Sequence, residues 1–247
     1  MNRRDLLRAS TAIGATGAIA GFAGTAPAAA ATTATAAGRP SAPAGSPLRV
    51  HIVMFDGVEE LDFAAPYEVF SAARFFTGRP VDVRYVTTSR PGFVRASYGS
   101  RIEVAHPWAP NEADVIVVPG GGYARRDDPG VWAEIRRGTL PRALAAAPRT
   151  GLTISALCTG VMLLSAAGLT RGRPCTTHHK ARPDLEQQGG VLKNGRVVDD
   201  GDLVTAGGIT SGLELALWLV RRELGPDTAT SVEATLEYEA GGTVWSR

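Results

Sequence analysis

Two hydrophobic patterns alternate along residues 48–240: short continuous apolar runs of strand length, and longer stretches with apolar residues every third or fourth position. The run Arg49–Phe55, ended by Asp56 and Gly57, predicts a buried strand and a turn. Leu61, Ala65, Val69, Ala72, Ala73 and Phe76 share helical spacing and predict a helix over 61–76, with Pro66 in its first turns. A strand is expected over 81–88 and a hairpin over 94–104, turning at Tyr98, Gly99 and Ser100. Residues 113–119 predict a second buried strand, broken by Gly120, Gly121 and Gly122. Residues 129–147 predict one helix with Trp132, Ile135, Leu140 and Leu144 inward. A third buried strand follows over 150–155, then a helix over 159–168 that ends on a glycine cap. Short strands are expected within 173–178 and 191–205, with turns at Asn194-Gly195 and Asp200-Gly201. Helices over 211–224 and 227–238 close the pattern.

Buried strands alternating with helices predict an α/β domain, a mostly parallel sheet with helices on both faces, over residues 48–247. In such sheets the chemistry sits beyond the carboxyl ends of the strands. Three of those ends carry distinctive residues: 56–62, 120–122 and 158–160.

The first 47 residues have a different pattern. Arg3, Arg4 and Arg8 precede a small-residue apolar stretch, and Ala28, Ala29 and Ala30 follow. That order predicts a signal peptide over 1–30 of the twin-arginine type, with Asn2 where Ser or Thr usually precedes the pair. Cleavage is expected between Ala26 and Ala37, and residues 31–47 read as a flexible linker of Ala, Pro, Gly and Ser. The expected location is therefore outside the cytoplasm, with no membrane association beyond export.

The whole chain of 247 residues carries 26 basic and 24 acidic residues. Setting aside residues 1–45 leaves 22 basic and 23 acidic, a net of −1, so the basic excess belongs to the leader. No basic stripe points to nucleic acid. Two cysteines exclude a disulfide framework and a four-thiolate zinc site, and no metal spacing such as H-E-x-x-H occurs. With neither a G-x-G-x-x-G run nor a P-loop, no cofactor is expected.

The sharpest candidate is Cys158. An apolar strand passes into a helix with the cysteine at the junction, and the small residues Ala156 and Gly160 stand two positions to either side. This is the pattern of a nucleophile elbow with Cys in place of Ser. The helix N-terminus there is expected to favour thiolate. A buried inert thiol, or a disulfide with Cys175 after export, are the other readings of this residue. Gly120 and Gly121 follow the neighbouring strand, and the Gly121 and Thr159 amides are candidates for an anion-stabilising pair, against a plain turn. Asp62 starts an apolar helix face. Pointing inward, it would have a raised pKa and act as a proton donor. His178 is a candidate catalytic neighbour, or a hydrogen-bonded structural histidine.

Together these residues resemble the ThiJ/PfpI superfamily, and within it the isonitrile hydratase (cyclohexyl-isocyanide hydratase) branch. The resemblance runs in order through 55–62, 66–70, 117–121, 158–160 with 166–169, 176–178, 196–198 with 205–209, and 236–238. It implies a flavodoxin-like three-layer sandwich of the class I glutamine amidotransferase type. It also implies Cys158 as nucleophile, Asp62 as its acid partner, Gly121 and Thr159 as anion-hole amides, and a small-molecule substrate. The implied reaction is hydration of an isonitrile to an N-substituted formamide without a metal or cofactor, in an expected homodimer. Thr159 stands where the protease and glyoxalase branches place His. The regulator branch adds a helix-turn-helix domain, so no DNA partner is expected of a chain ending at Arg247. Two positions depart from the hydratase pattern: His179, where Trp is usual, and Cys175, where a small residue is usual. Alternative implied functions are glyoxalase or deglycase chemistry at the same thiol, or a redox or stress sensor.

Overall fold

In a computed structural model of the protein, the structure describes residues 45–247. The leader expected over 1–30 and most of the linker over 31–47 lie outside the described residues.

The strands form where apolar runs are continuous. β1 (Leu48–Val53), β6 (Val115–Val118) and β7 (Thr153–Ala156) are buried almost throughout, as parallel strands covered on both faces must be. They join β2 (Val81–Thr87), β5 (His106–Pro107), β10 (Val197–Asp199), β11 (Leu203–Ala206) and β12 (Val244–Ser246) in one eight-stranded sheet. Its order is β12-β10-β11-β7-β6-β1-β2-β5, and only the β10–β11 pair is antiparallel. β3 (Gly92–Arg95) and β4 (Arg101–Val104) make the expected hairpin, with Arg95 opposite Arg101. β8 (Pro174–Cys175) and β9 (Val191–Leu192) form a small separate pair.

The helices fall into two packed groups. α1 (Glu60–Ala73), α6 (Ser211–Leu224) and α7 (Pro226–Leu236) pack on one another. α2 (Val131–Arg137), α3 (Thr139–Ala145) and α4 (Val161–Ala166) form the other group, and α5 (Arg182–Gln187) packs beside β9. This is the mostly parallel, helix-covered sheet that the sequence pattern predicts.

Two expectations change. The single helix expected over 129–147 is two helices, because Gly138 adopts a left-handed conformation at φ 71° and ends α2. The residues buried in α2 are Val131 and Glu134, while Trp132 and Ile135 are half-buried; Leu140 and Leu144 do point inward. The strand expected over 173–178 is only two residues long, so His178 lies in a loop beyond it.

Candidate active site

β6 pairs with both β1 and β7, and β11 pairs with β7, all in parallel. Four carboxyl ends therefore lie side by side, and each delivers one part of the site.

β7 delivers the thiol. Cys158 has φ 52°, in the left-handed region that non-glycine residues avoid, and starts a 3-10 turn over Cys158–Gly160 that leads into α4. The strained elbow expected from the small flanking residues is therefore present. A Cβ on Gly160 would fall 2.3 Å from the Val118 carbonyl oxygen, which explains the glycine: the elbow is pressed against the end of β6. The Cys158 amide donates to the Gly207 carbonyl beyond β11 at 2.7 Å, and the Thr177 hydroxyl donates to the Cys158 carbonyl at 2.7 Å.

β1 delivers the carboxyl. Glu59 caps α1, accepting from the Asp62 amide at 2.9 Å, and so fixes the turn that carries Asp62 inward. Asp62 is fully buried. Its Oδ2 accepts from the Gly120 amide at 2.9 Å, while the Gly120 carbonyl accepts from the Glu59 amide at 2.9 Å. Gly120 thus clasps both acids to the end of β6. Asp62 Oδ1 is buried with no partner in hydrogen-bond geometry; the side chains that act on this carboxyl are Glu59 and the Cys158 thiol.

The electrostatics follow from burial. Loss of solvent raises the Asp62 pKa well above the ordinary carboxylate value, and the neighbouring Glu59 charge raises it further. Burial likewise pushes the Cys158 thiol up to about 12, with the Asp62 charge adding to the effect. The backbone N–H groups of Ile209 and Thr159 face the sulfur and favour its ionised form, but do not outweigh desolvation. Burial thus opposes the thiolate that the helix N-terminus was expected to favour, and a buried carboxyl stands against the thiol.

The other expected residues are placed as follows. The Gly121 amide donates to Thr159 Oγ1 at 3.0 Å, so within this structure it is bonded to protein, and the Thr159 amide faces the thiol. The His178 amide donates to the Cys158 carbonyl at 3.4 Å, while its ring accepts from the Lys180 amide through Nδ1 at 3.2 Å and lies tilted by 34° against the His179 ring, centroids 4.2 Å apart. Burial and the charges of His179 and Lys180 lower the His178 pKa. Cys158 and Cys175 are both free and buried. Among the described residues, no group of three or more His, Cys, Asp or Glu side chains is arranged to hold a metal ion.

Ile209 was not singled out as a site residue by the sequence. It is β-branched yet has φ 41°, which aims its amide at the sulfur. The two glycines before it, Gly207 and Gly208, were the available signal. Beside it opens a cleft of about 560 Å³, lined by Thr177, His178, Arg182, Arg196, Ile209 and Thr210 among others.

A domain of this kind occurs in known proteins. The DJ-1/PfpI family model matches residues 48–222. Isonitrile hydratase of Pseudomonas putida is 33% identical over 195 residues, covering 77% of this chain and 78% of that protein. The glutathione-independent glyoxalase DJ-1 of Schizosaccharomyces pombe is 24% identical, covering 76% of this chain and 98% of that one. The crystal structure of a ThiJ/PfpI family protein from Pseudomonas syringae superposes with a TM-score of 0.68 at 23% identity, covering 77% of this chain and 75% of that chain. An elbow cysteine at the end of a central parallel strand, met by an acid from the turn after β1, is thus set in a domain with extensive relatives: the chain belongs to the DJ-1/PfpI family.

Proposed function

We infer that the protein is a cysteine-dependent hydratase that converts an isonitrile to an N-substituted formamide. The observation that carries this reading is the buried pair of Asp62 and Cys158, set side by side at the strand ends. Its similarity to isonitrile hydratase over most of both chains supports the same reading.

Hydration of R–N≡C requires one proton to reach carbon as a nucleophile attaches there. The Asp62 carboxylate takes the thiol proton as sulfur bonds to the isonitrile carbon, then passes it to that carbon. The product is a thioimidate, R–N=CH–S–Cys158. No free thiolate need accumulate, which suits a thiol pKa of about 12. The Ile209 and Thr159 amides steady the sulfur's negative charge during transfer. Water then adds to carbon with Asp62 as base, and a proton reaches nitrogen. The carbon–sulfur bond breaks, and the hydroxyl proton returns to sulfur through Asp62. The formamide R–NH–CHO leaves with the enzyme restored.

The test is incubation of purified, reduced protein with a panel of isonitriles including cyclohexyl isocyanide, with formamide followed by mass spectrometry. Turnover by the wild type and none by Cys158→Ala is expected. No turnover by folded wild type overturns the reading; turnover of methylglyoxal instead would assign the thiol to glyoxalase chemistry.

The proposed setting is outside the cytoplasm, on the strength of Arg3 and Arg4 and the apolar stretch after them. Replacing both with Lys is expected to leave unprocessed protein in the cytoplasmic fraction. A homodimer is proposed on family grounds, and light scattering of the purified protein tests it.

A further inference from the structure

The cleft beside the elbow has a charge pattern that hydration chemistry does not use. Three of its lining residues hold the nucleophile: Ile209 faces the sulfur, Gly207 accepts the Cys158 amide, and Thr177 donates to the Cys158 carbonyl. A molecule seated in the cleft therefore rests on the same loops that position the thiol. Among the described residues that line it there are two arginines and two histidines, but no Asp or Glu.

The two arginines are not equivalent. Arg196 is neutralised from behind: its Nε donates to the buried Glu214 at 2.5 Å and its Nη2 to Thr210 Oγ1 at 2.6 Å. Arg182 has no carboxylate partner among the described residues. Its Nη2 makes one long contact, 3.4 Å to Thr176 Oγ1, and its Nε is buried with no partner. Arg182 lines the cleft with its charge uncompensated by a carboxylate, and an incoming anion would pair with the guanidinium. The nearest acid in sequence, Asp184, is engaged with the Tyr123 hydroxyl and lies 3.9 Å from Arg126.

We propose that this cleft is a carboxylate subsite in which Arg182 receives the acid group of the substrate, so that the preferred substrates are isonitriles bearing a carboxylate. The substrate class rests on the hydratase reading above; the subsite itself does not. One guanidinium without a carboxylate partner suits a monoanion. A phosphate dianion shares the chemistry but would need a second free cation. At His178 burial lowers the pKa and so disfavours a second cation there.

Two measurements separate the subsite from the reaction. The first compares kcat/KM for isocyanoacetate and for its methyl ester in the wild type, Arg182→Gln and Arg182→Lys. Loss of a charge-assisted pair corresponds to roughly 10- to 100-fold. The wild type is expected to prefer the acid by about that factor; Arg182→Gln should abolish the preference and Arg182→Lys restore part of it. The second uses the Cys158→Ala protein and calorimetric binding of N-formylglycine against its methyl ester, with inorganic phosphate as competitor. The acid is expected to bind more tightly by a similar factor, and the difference should vanish when Arg182→Gln is added. If no isonitrile is turned over but the binding difference holds and depends on Arg182, the subsite stands and the hydratase reading falls. Equal binding of acid and ester, a preference that survives Arg182→Gln, or phosphate displacing the acid as the tighter ligand would overturn the proposal.

Discussion

Asp62 is held where an ionised carboxylate is disfavoured, and that cost is what makes it useful. Its folded pKa lies above its unfolded one, so its contribution favours the folded state at low pH. The contribution is lost as pH rises from about 4 through the raised value. Asp62→Asn removes this loss. The variant's stability relative to wild type should therefore climb as pH rises from about 4, when both are unfolded in urea. The same change should lower hydratase turnover by roughly 10²- to 10⁴-fold, the usual worth of a positioned acid–base group. It should also lower the Cys158 pKa from about 12, since the Asp62 charge is one of the causes that raise it. Thiolate absorbance against pH reads this directly, and an unmoved or higher thiol pKa would refute the assigned pairing. The type and spacing of both groups were legible in the sequence: small residues around Cys158, and an acid at the start of an apolar helix face. The electrostatic balance at the sulfur was not. A helix N-terminus favours thiolate, and the buried surroundings of the sulfur oppose it.

The elements hold the site together through close backbone contacts. Gly160 lets the elbow after β7 lie on the end of β6; an alanine Cβ there would sit 2.3 Å from the Val118 oxygen and 2.4 Å from the Pro119 oxygen. Neither atom can yield without moving a central strand. Gly160→Ala should therefore destabilise the protein by about 3 kcal/mol in chemical denaturation and reduce turnover with it. A subtler link joins the same two elements. Thr159 Oγ1 accepts the buried Gly121 amide, so Thr159→Val strands that amide at a cost of about 1–3 kcal/mol. Thr159→Ser keeps the acceptor and should stay within about 1 kcal/mol of wild type. If valine and serine proved equally stable, the hydrogen bond would not be holding the glycine loop. Helix and strand periodicity made β1, β6, β7, α1 and α6 legible to within a few residues. The division of α2 from α3 was missed because apolar spacing continues across Gly138, where backbone conformation rather than side-chain pattern ends the helix. Strands of two residues such as β5, and the edge strand β12, are too short for any periodicity to mark them.

At the scale of the whole domain, the parallel order of β11, β7, β6 and β1 brings residues 62, 120, 158 and 209 together although nearly 150 positions separate the first from the last. Alternation of strands and helices was enough to expect that convergence at the carboxyl ends, but not the neighbour on the far side. Because β11 returns beside β7, Ile209 joins the site, and no local pattern says which late strand lies next to the elbow. The same layering buries one group with no catalytic part. His51 sits in β1 between β2 and β6, paired in register with Arg84 and Ile116, and its Nδ1 is buried without a partner. Burial lowers its pKa, the Arg84 charge lowers it further, and Glu112 and Asp82 oppose the shift. A histidine with a depressed folded pKa contributes stability that is present above its unfolded value near 6.5 and is lost as pH falls through the folded one. The protein should therefore weaken on mild acidification. Part of that loss should vanish in His51→Leu, which keeps an apolar side chain in the strand and has no proton to take up. Asp114 and His178 also have lowered values and remain in both proteins, so they cancel from the comparison. Denaturation of the two proteins at pH 7.5 and pH 5 should show the wild type losing more stability than the variant. Parallel losses would mean that His51 is protonated in the sheet at little cost, and that the acid sensitivity of the fold arises elsewhere.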